Sequence, residues 1–278
     1  MVNDVTDLLR HMLCLVPHHL GAPRSRQGLR NAGFLYLLVF FGISCAHPAV
    51  AAKCGPIAEQ GARYVACEVD PAKSAVRVHH SDPNGRPFGG FDSLARQLWA
   101  ERRVLTLAMN GGMYHRDLSP VGLLIENGEE RSKLIIRGGW GNFHLLPNGV
   151  FLVKDGRPQV METRAFQRSG LQPDFATQSG PMLVIDGKIH PRFLPDSDSF
   201  KIRNGVGVDA DGHLHLVISR VPVRFYDFAL LFRDRLKTKN ALYLDGTISS
   251  LYSPELDRRD RLFPIGPIIS VSEIVPFR

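Results

Sequence analysis

Zinc-finger spacing, a long basic run and an RNA-binding aromatic signature are all missing from this sequence. Its formal net charge of +7 is scattered along the chain, and scattered cations attract nucleic acid only weakly. Nucleic acid is therefore not an expected partner. A modest positive field suits a phosphate-bearing or acidic glycan equally well. Pro/Ser-rich linkers and low-complexity blocks are absent from residues 53–278, which read as one domain. A G-x-S-x-G elbow is absent, so a serine hydrolase has no motif support. The four cysteines show no metal-ligand spacing, and neither a metal nor a cofactor is expected.

The apolar stretch Phe34 to Ile43 is too short for a membrane span, which needs about 20 residues. Arg24, Arg26 and Arg30 precede it, and small residues ending in AVAA follow it. That is the layout of a secretory signal. Residues 1–52 are expected to be a leader, leaving a periplasmic or secreted chain; an uncleaved anchor is the alternative. The stretch before Arg24 is longer than a signal needs, which suggests a true start downstream of Met1. Removing the leader removes Cys14 and Cys45. Cys54 and Cys67 remain and are expected to pair in an exported chain, two free thiols being the alternative.

Strand-like runs come first (RYVACEV, AVRVHH). FDSLARQLWAER then places Phe91, Leu94, Ala95, Leu98 and Trp99 at helical spacing, with Asp92 or Ser93 able to cap its start. Asn127-Gly128, Asn148-Gly149, Asp155-Gly156, Asp186-Gly187 and Asp211-Gly212 punctuate apolar runs and predict tight hairpins. FYDFALLFRDRLKT predicts a second helix, with Phe225, Phe228, Ala229, Phe232 and Leu236 on one face. Many hairpins and few helices make an α+β domain with a largely antiparallel or mixed sheet. Each helix leads through a basic link into a short strand, VLTLAMNGG or NALYLDGT. If both strands lie in one sheet and run the same way, Asn110 and Asp245 emerge at one edge.

Four stretches have the makings of a site. In AMNGGMYH, Asn110 can donate and accept, and Gly111 and Gly112 let backbone N–H groups approach a ligand. TQSGPMLVIDGK places Ser179 and Gly180 at the start of a strand. In SFKIRNGVGVD, Arg203 precedes a glycine-rich strand and can hold a phosphate through two parallel hydrogen bonds. In NALYLDGTISS, the Asp245 carboxylate stands beside Thr247, Ser249 and Ser250 and can act as base or nucleophile. DADG lacks the remaining ligands of a calcium loop and reads as a hairpin turn. His213 and His215 face one side of a strand and read as ordinary strand histidines.

In order and spacing, MNGGMY, QSGPMLVIDG, RNGVGVD and FALLFRDRLKTKNALYLDGTISSLY resemble the phosphodiester glycosidase family, in an exported bacterial form. The resemblance runs from about Tyr64 to Ser272. It departs after the Asp-Gly, where many members carry a glycine-rich run and this chain has TISS. The resemblance implies catalytic roles for Asp245, Asn110 and Arg203. It implies substrate contacts for Gly111, Gly112, Ser179, Gly180, Thr247, Ser249 and Ser250. The implied partner is a glycan or sugar-phosphate. No second catalytic acid is evident in these stretches, and a phosphate leaving group tolerates that, since it departs with little protonation. A non-catalytic module for phosphorylated or acidic envelope glycans is the competing reading. A metal-dependent phosphodiesterase attacking phosphorus is a third.

Overall fold

The structure is a computed structural model that describes residues 52–246 and 248–276. The expected leader lies outside the described residues except for Ala52, which opens the first strand; Cys14, Cys45 and Thr247 also lie outside them. In chain order the elements begin with β1 (Ala52–Glu59), β2 (Ala62–Val69), β3 (Ala75–His79), α1 (Phe91–Ala100), β4 (Arg103–Asn110), β5 (Leu124–Glu126) and β6 (Glu129–Ser132). Next come β7 (Gly149–Lys154), β8 (Arg157–Glu162), α2 (Thr163–Ser169), β9 (Phe175–Ser179), β10 (Met182–Ile185) and β11 (Lys188–Ile189). The chain closes with β12 (Asn204–Val208), β13 (Leu214–Ser219), α3 (Phe225–Leu230), β14 (Asn240–Asp245), β15 (Leu251–Ser253), β16 (Arg258–Arg259) and β17 (Ile268–Ile274).

These strands form three antiparallel sheets. The first has the order β1-β2-β13-β12-β14-β10-β11, the second β16-β15-β4-β17-β3, and the third β6-β5-β9-β7-β8. One face of each sheet contributes to a shared core, where Val206 and Leu242 of the first meet Leu107 and Met109 of the second and Phe151 of the third. The opposite faces are each covered by a helix. Phe228 and Phe232, from α3 and the π-turn continuing it, pack on the first sheet. Leu94 and Leu98 of α1 pack on the second, and Phe166 of α2 packs on the third. Strands covered on both faces read as continuous apolar runs, which explains ALYL in β14 and HLVIS in β13. The α+β expectation holds.

Four of the five expected hairpin turns are present, linking β5 to β6, β7 to β8, β10 to β11 and β12 to β13. The fifth is corrected. Asn148 is buried at the entry to β7, where its Nδ2 donates to the Phe143 carbonyl at 3.1 Å. Two details of α1 also differ from expectation. Trp99 is 65% exposed. The helix has no side-chain cap: Ser93 donates back to the Gly90 carbonyl, and Asp92 pairs with Arg259 and Arg261. Cys54 and Cys67 lie directly opposite each other on β1 and β2 and form a disulfide. The strand echo has a different basis from the one expected. β4 lies in the second sheet and β14 in the first, so Asn110 and Asp245 meet across a sheet junction and not along one edge.

Candidate functional site

Asp245 is the last residue of β14, and three hydrogen bonds stitch the three sheets together around it. Asn204 Nδ2 at the start of β12 donates to Asn110 Oδ1 at the end of β4, 2.7 Å away, joining the first sheet to the second. Ser179 Oγ at the end of β9 donates to the Leu244 carbonyl at 2.9 Å, joining the third to the first. The Gly112 N–H donates to Thr177 Oγ1 at 3.1 Å, joining the loop after β4 to the third.

Within this triangle the backbone is held closely. The Asp245 N–H donates to Asn204 Oδ1 at 2.8 Å, and the Ser250 N–H donates to Asn110 Oδ1 at 2.9 Å. Asp245 Oδ1 accepts from the Gly246 N–H at 2.5 Å. The pairing of β12 with β14 slips between Asn204–Asp245 and Gly205–Tyr243. Leu244 is thus the extra residue of a β-bulge, a device that re-aims side chains beside active sites. Gly246 is glycine for space, because a Cβ there would overlap the Tyr243 hydroxyl and lie 3.2 Å from the Ile202 carbonyl oxygen.

Asn110 is fully buried. Its Oδ1 accepts two hydrogen bonds, while its Nδ2 has no partner. A buried donor left unpaired costs about 1–3 kcal/mol, and such a group calls for a ligand or a bound water. Tyr114 and Tyr243 flank Asp245. Burial first, and the Asp245 negative charge second, push both phenols well above their ordinary value of 10.0. Both therefore stay protonated at neutral pH. Tyr114 donates to the Pro264 carbonyl at 3.0 Å.

Several expected contacts are corrected. Arg203 is 1% exposed and two of its three guanidinium nitrogens are tied to the main chain, while its Nη1 is buried without a hydrogen-bond partner. Its Nε donates to the Val223 carbonyl at 2.9 Å, its Nη2 to the Ser199 carbonyl at 3.0 Å, and its guanidinium stacks 3.5 Å from the Phe225 ring centroid. Gly111 and Gly112 do not cradle a ligand with free N–H groups. The Gly111 N–H donates to the Pro267 carbonyl at 2.6 Å, and the Gly112 N–H serves Thr177. Both are glycine for close packing: a Cβ on Gly112 would overlap the Gln178 carbonyl oxygen, and one on Gly111 would lie 3.1 Å from that of Pro267. Gly180 is likewise closed off, since a Cβ there would lie 2.7 Å from the Phe143 carbonyl oxygen. Ser179 and Gly180 precede a strand as expected, β10 starting at Met182; Ser179 also ends β9 and commits its proton to Leu244.

Ser249 and Ser250 stay beside Asp245. Ser249 Oγ donates to the Gly246 carbonyl at 3.0 Å, and Ser250 contributes its backbone N–H to Asn110. Asn204, Tyr114 and Tyr243 were not anticipated. Asn204 follows Arg203 in RNGVGV, and an Asn at a strand entrance carries no local signal that sets it apart from a turn residue. At the opposite end of β12, ligand atoms of Asp209, Asp211 and His213 lie within 4.8 Å of one another, while His215 Nε2 is 2.8 Å from Asp209.

Comparison with known proteins agrees with this architecture. The Phosphodiester glycosidase family matches residues 104–260. That span includes Asn110, Asn204 and Asp245. An uncharacterized Escherichia coli (strain K12) protein, YigE, is 38% identical over 204 residues, covering 73% of this chain and 80% of that protein. The zebrafish N-acetylglucosamine-1-phosphodiester alpha-N-acetylglucosaminidase catalytic domain, solved auto-inhibited by its pro-peptide, superposes with a TM-score of 0.53 at 16% identity. That superposition covers 79% of this chain and 81% of the domain. A hypothetical protein from Synechocystis also gives a TM-score of 0.53, at 14% identity, covering 80% of this chain and 61% of that one. The family match spans more than half of the sequence, and this chain belongs to the phosphodiester glycosidase family.

Proposed function

We propose that this protein is an exported hydrolase that cleaves the glycosidic bond of a sugar 1-phosphodiester, or of a related envelope or exopolysaccharide glycan. The observation that carries the reading is the group at the sheet junction: Asp245, whose backbone N–H is held by Asn204, which in turn bonds a buried Asn110 whose Nδ2 is unpartnered. A carboxylate can stabilise positive charge developing at an anomeric carbon, and an unpaired amide N–H₂ can donate to a sugar hydroxyl. A second carboxylic acid is not required, because a phosphate departs as an anion.

In this reading the C1–O bond breaks and its electron pair leaves with the phosphomonoester. The hydroxyl of a water adds to C1. Asp245 assists as the base that takes the water's other proton, or as the nucleophile that water later displaces. Family membership and the leader-like composition of residues 1–52 support the reading. The Cys54–Cys67 disulfide supports export, since such bonds persist in oxidising compartments.

The test is incubation with a panel of sugar 1-phosphodiesters in oxygen-18 water. Label on the sugar is expected. Label on the phosphate would mean attack at phosphorus and would overturn the reading; binding without any product would leave a glycan-binding module.

A further inference from the structure

Arg203 is 1% exposed with its Nε and Nη2 held by main-chain carbonyls and only Nη1 unpartnered, so a departing phosphate calls for a second, accessible cation. The first sheet points to where it lies. Pro56, Val65, Ile218, Asn204 and Asp245 are successive cross-strand partners along one row through β1, β2, β13, β12 and β14. Neighbouring strands are about 4.8 Å apart, so Ile218 sits two spacings, roughly 10 Å, from Asp245. A cavity of about 530 Å³ opens over the Pro56, Val65 and Ile218 part of this row. Its wall continues through Ile202 and Ser249, the latter bonded to the Asp245–Gly246 main chain. The cavity therefore adjoins the Asp245 group along the same sheet.

Two arginines line it, and they differ in how their charge is spent. Arg258 is neutralised by Asp260, which also lines the cavity, at 2.8 Å. The backbone of Arg220 is fixed by its N–H donating to the Arg63 carbonyl at 2.7 Å. Its side chain is exposed, and among the described residues it has no ion pair and no hydrogen-bond partner. An unspent guanidinium at the mouth of a cavity presents the planar fork that suits phosphate oxygens.

We propose that this cavity is the phosphate subsite of the candidate active centre and that Arg220 is its phosphate-binding residue. The inference rests on the sugar 1-phosphodiester reading for its substrate, but not for the anion site itself. With the anomeric carbon at Asp245, the phosphate extends along the sheet row toward Arg220. The cavity walls then receive the group esterified on the far side of the phosphate.

Arg220→Ala, Arg220→Lys and Asp245→Asn separate the two ideas. The wild-type chain and each variant are titrated calorimetrically with inorganic phosphate, and kcat/KM is measured on a hydrolysed sugar 1-phosphodiester. A hydrogen-bonded charge pair predicts a loss of roughly 10- to 100-fold in phosphate affinity and in kcat/KM for Arg220→Ala. Arg220→Lys should recover part of both, because it keeps the charge but not the fork. Asp245→Asn should keep phosphate binding while losing turnover. Phosphate affinity unchanged in Arg220→Ala, or absent from the wild type, overturns the proposal. Phosphate binding through Arg220 without hydrolysis of any diester would sink the glycosidase reading and leave the anion subsite standing.

Discussion

The side-chain amide of Asn204 reaches Asn110 Oδ1 at 2.7 Å, and through this one contact two different sheets share a site. Asn204 also accepts the Asp245 N–H at 2.8 Å. Position of the carboxylate thus depends on an amide that touches both sides of the junction.

Replacing Asp245 with Asn is isosteric and should leave the melting temperature nearly unchanged. Turnover of a hydrolysed sugar 1-phosphodiester should fall by about 10²–10⁴-fold, the range for a lost acid–base group. Full activity in this variant would remove Asp245 from the chemistry.

Asn204→Leu should cost both stability and rate. It leaves the Asp245 N–H and one acceptor position of Asn110 unsatisfied, at about 1–3 kcal/mol for each buried group. Urea unfolding should show the loss, and a double-mutant cycle with Asn110→Ala should show coupling, since the two side chains share a bond. Strict additivity would contradict the bridge.

Gly112→Ala tests whether this glycine packs or binds. A Cβ would overlap the Gln178 carbonyl oxygen. Overpacking predicts a stability loss of about 3 kcal/mol, read by urea unfolding. A normal unfolding midpoint with a raised KM would restore the ligand-cradle role.

Cys54 and Cys67 close a loop with a sequence separation of 13. Replacing both with Ser should lower stability by about 2–4 kcal/mol. Reductant should shift the wild-type midpoint in the same direction and leave the double variant unaffected.

Burial pulls His79 and His190 down from an ordinary 6.5 to about 4. Their folded forms hold neutral imidazole while the unfolded chain takes up protons. Stability from these two residues is complete above pH 6.5, falls as pH drops from 6.5 toward 4, and levels below. Unfolding free energies measured across that window should show the slope. The slope should be shallower in His79→Gln/His190→Gln.

Much of the architecture was legible because local signals and tertiary demands agree. Asn127-Gly128 and Asp155-Gly156 are turns because both residues of each pair adopt positive φ. Phe228 and Phe232 mark the buried face of α3 and its π-turn because helical spacing puts them there. Asn148-Gly149 misled, since the same dipeptide can enter a strand when the Asn side chain finds a buried carbonyl.

By itself, the sequence determined most of the element types, though not α2, most of the turns, the expectation that Cys54 pairs with Cys67 and the likeness to the family. These follow from short-range periodicity and from motif order, and neither needs the fold. Only the tertiary structure decided which polar groups are spent and which remain available. Arg203 looks like an open two-pronged phosphate ligand until Val223 and Ser199 are seen to hold its Nε and Nη2, leaving only a buried Nη1 unpartnered. Arg220 looks unremarkable until the cavity beside Asp245 is seen to include it. Hydrogen-bond partners come from residues far apart in sequence, brought together by three sheets around one core, and no local pattern encodes that pairing.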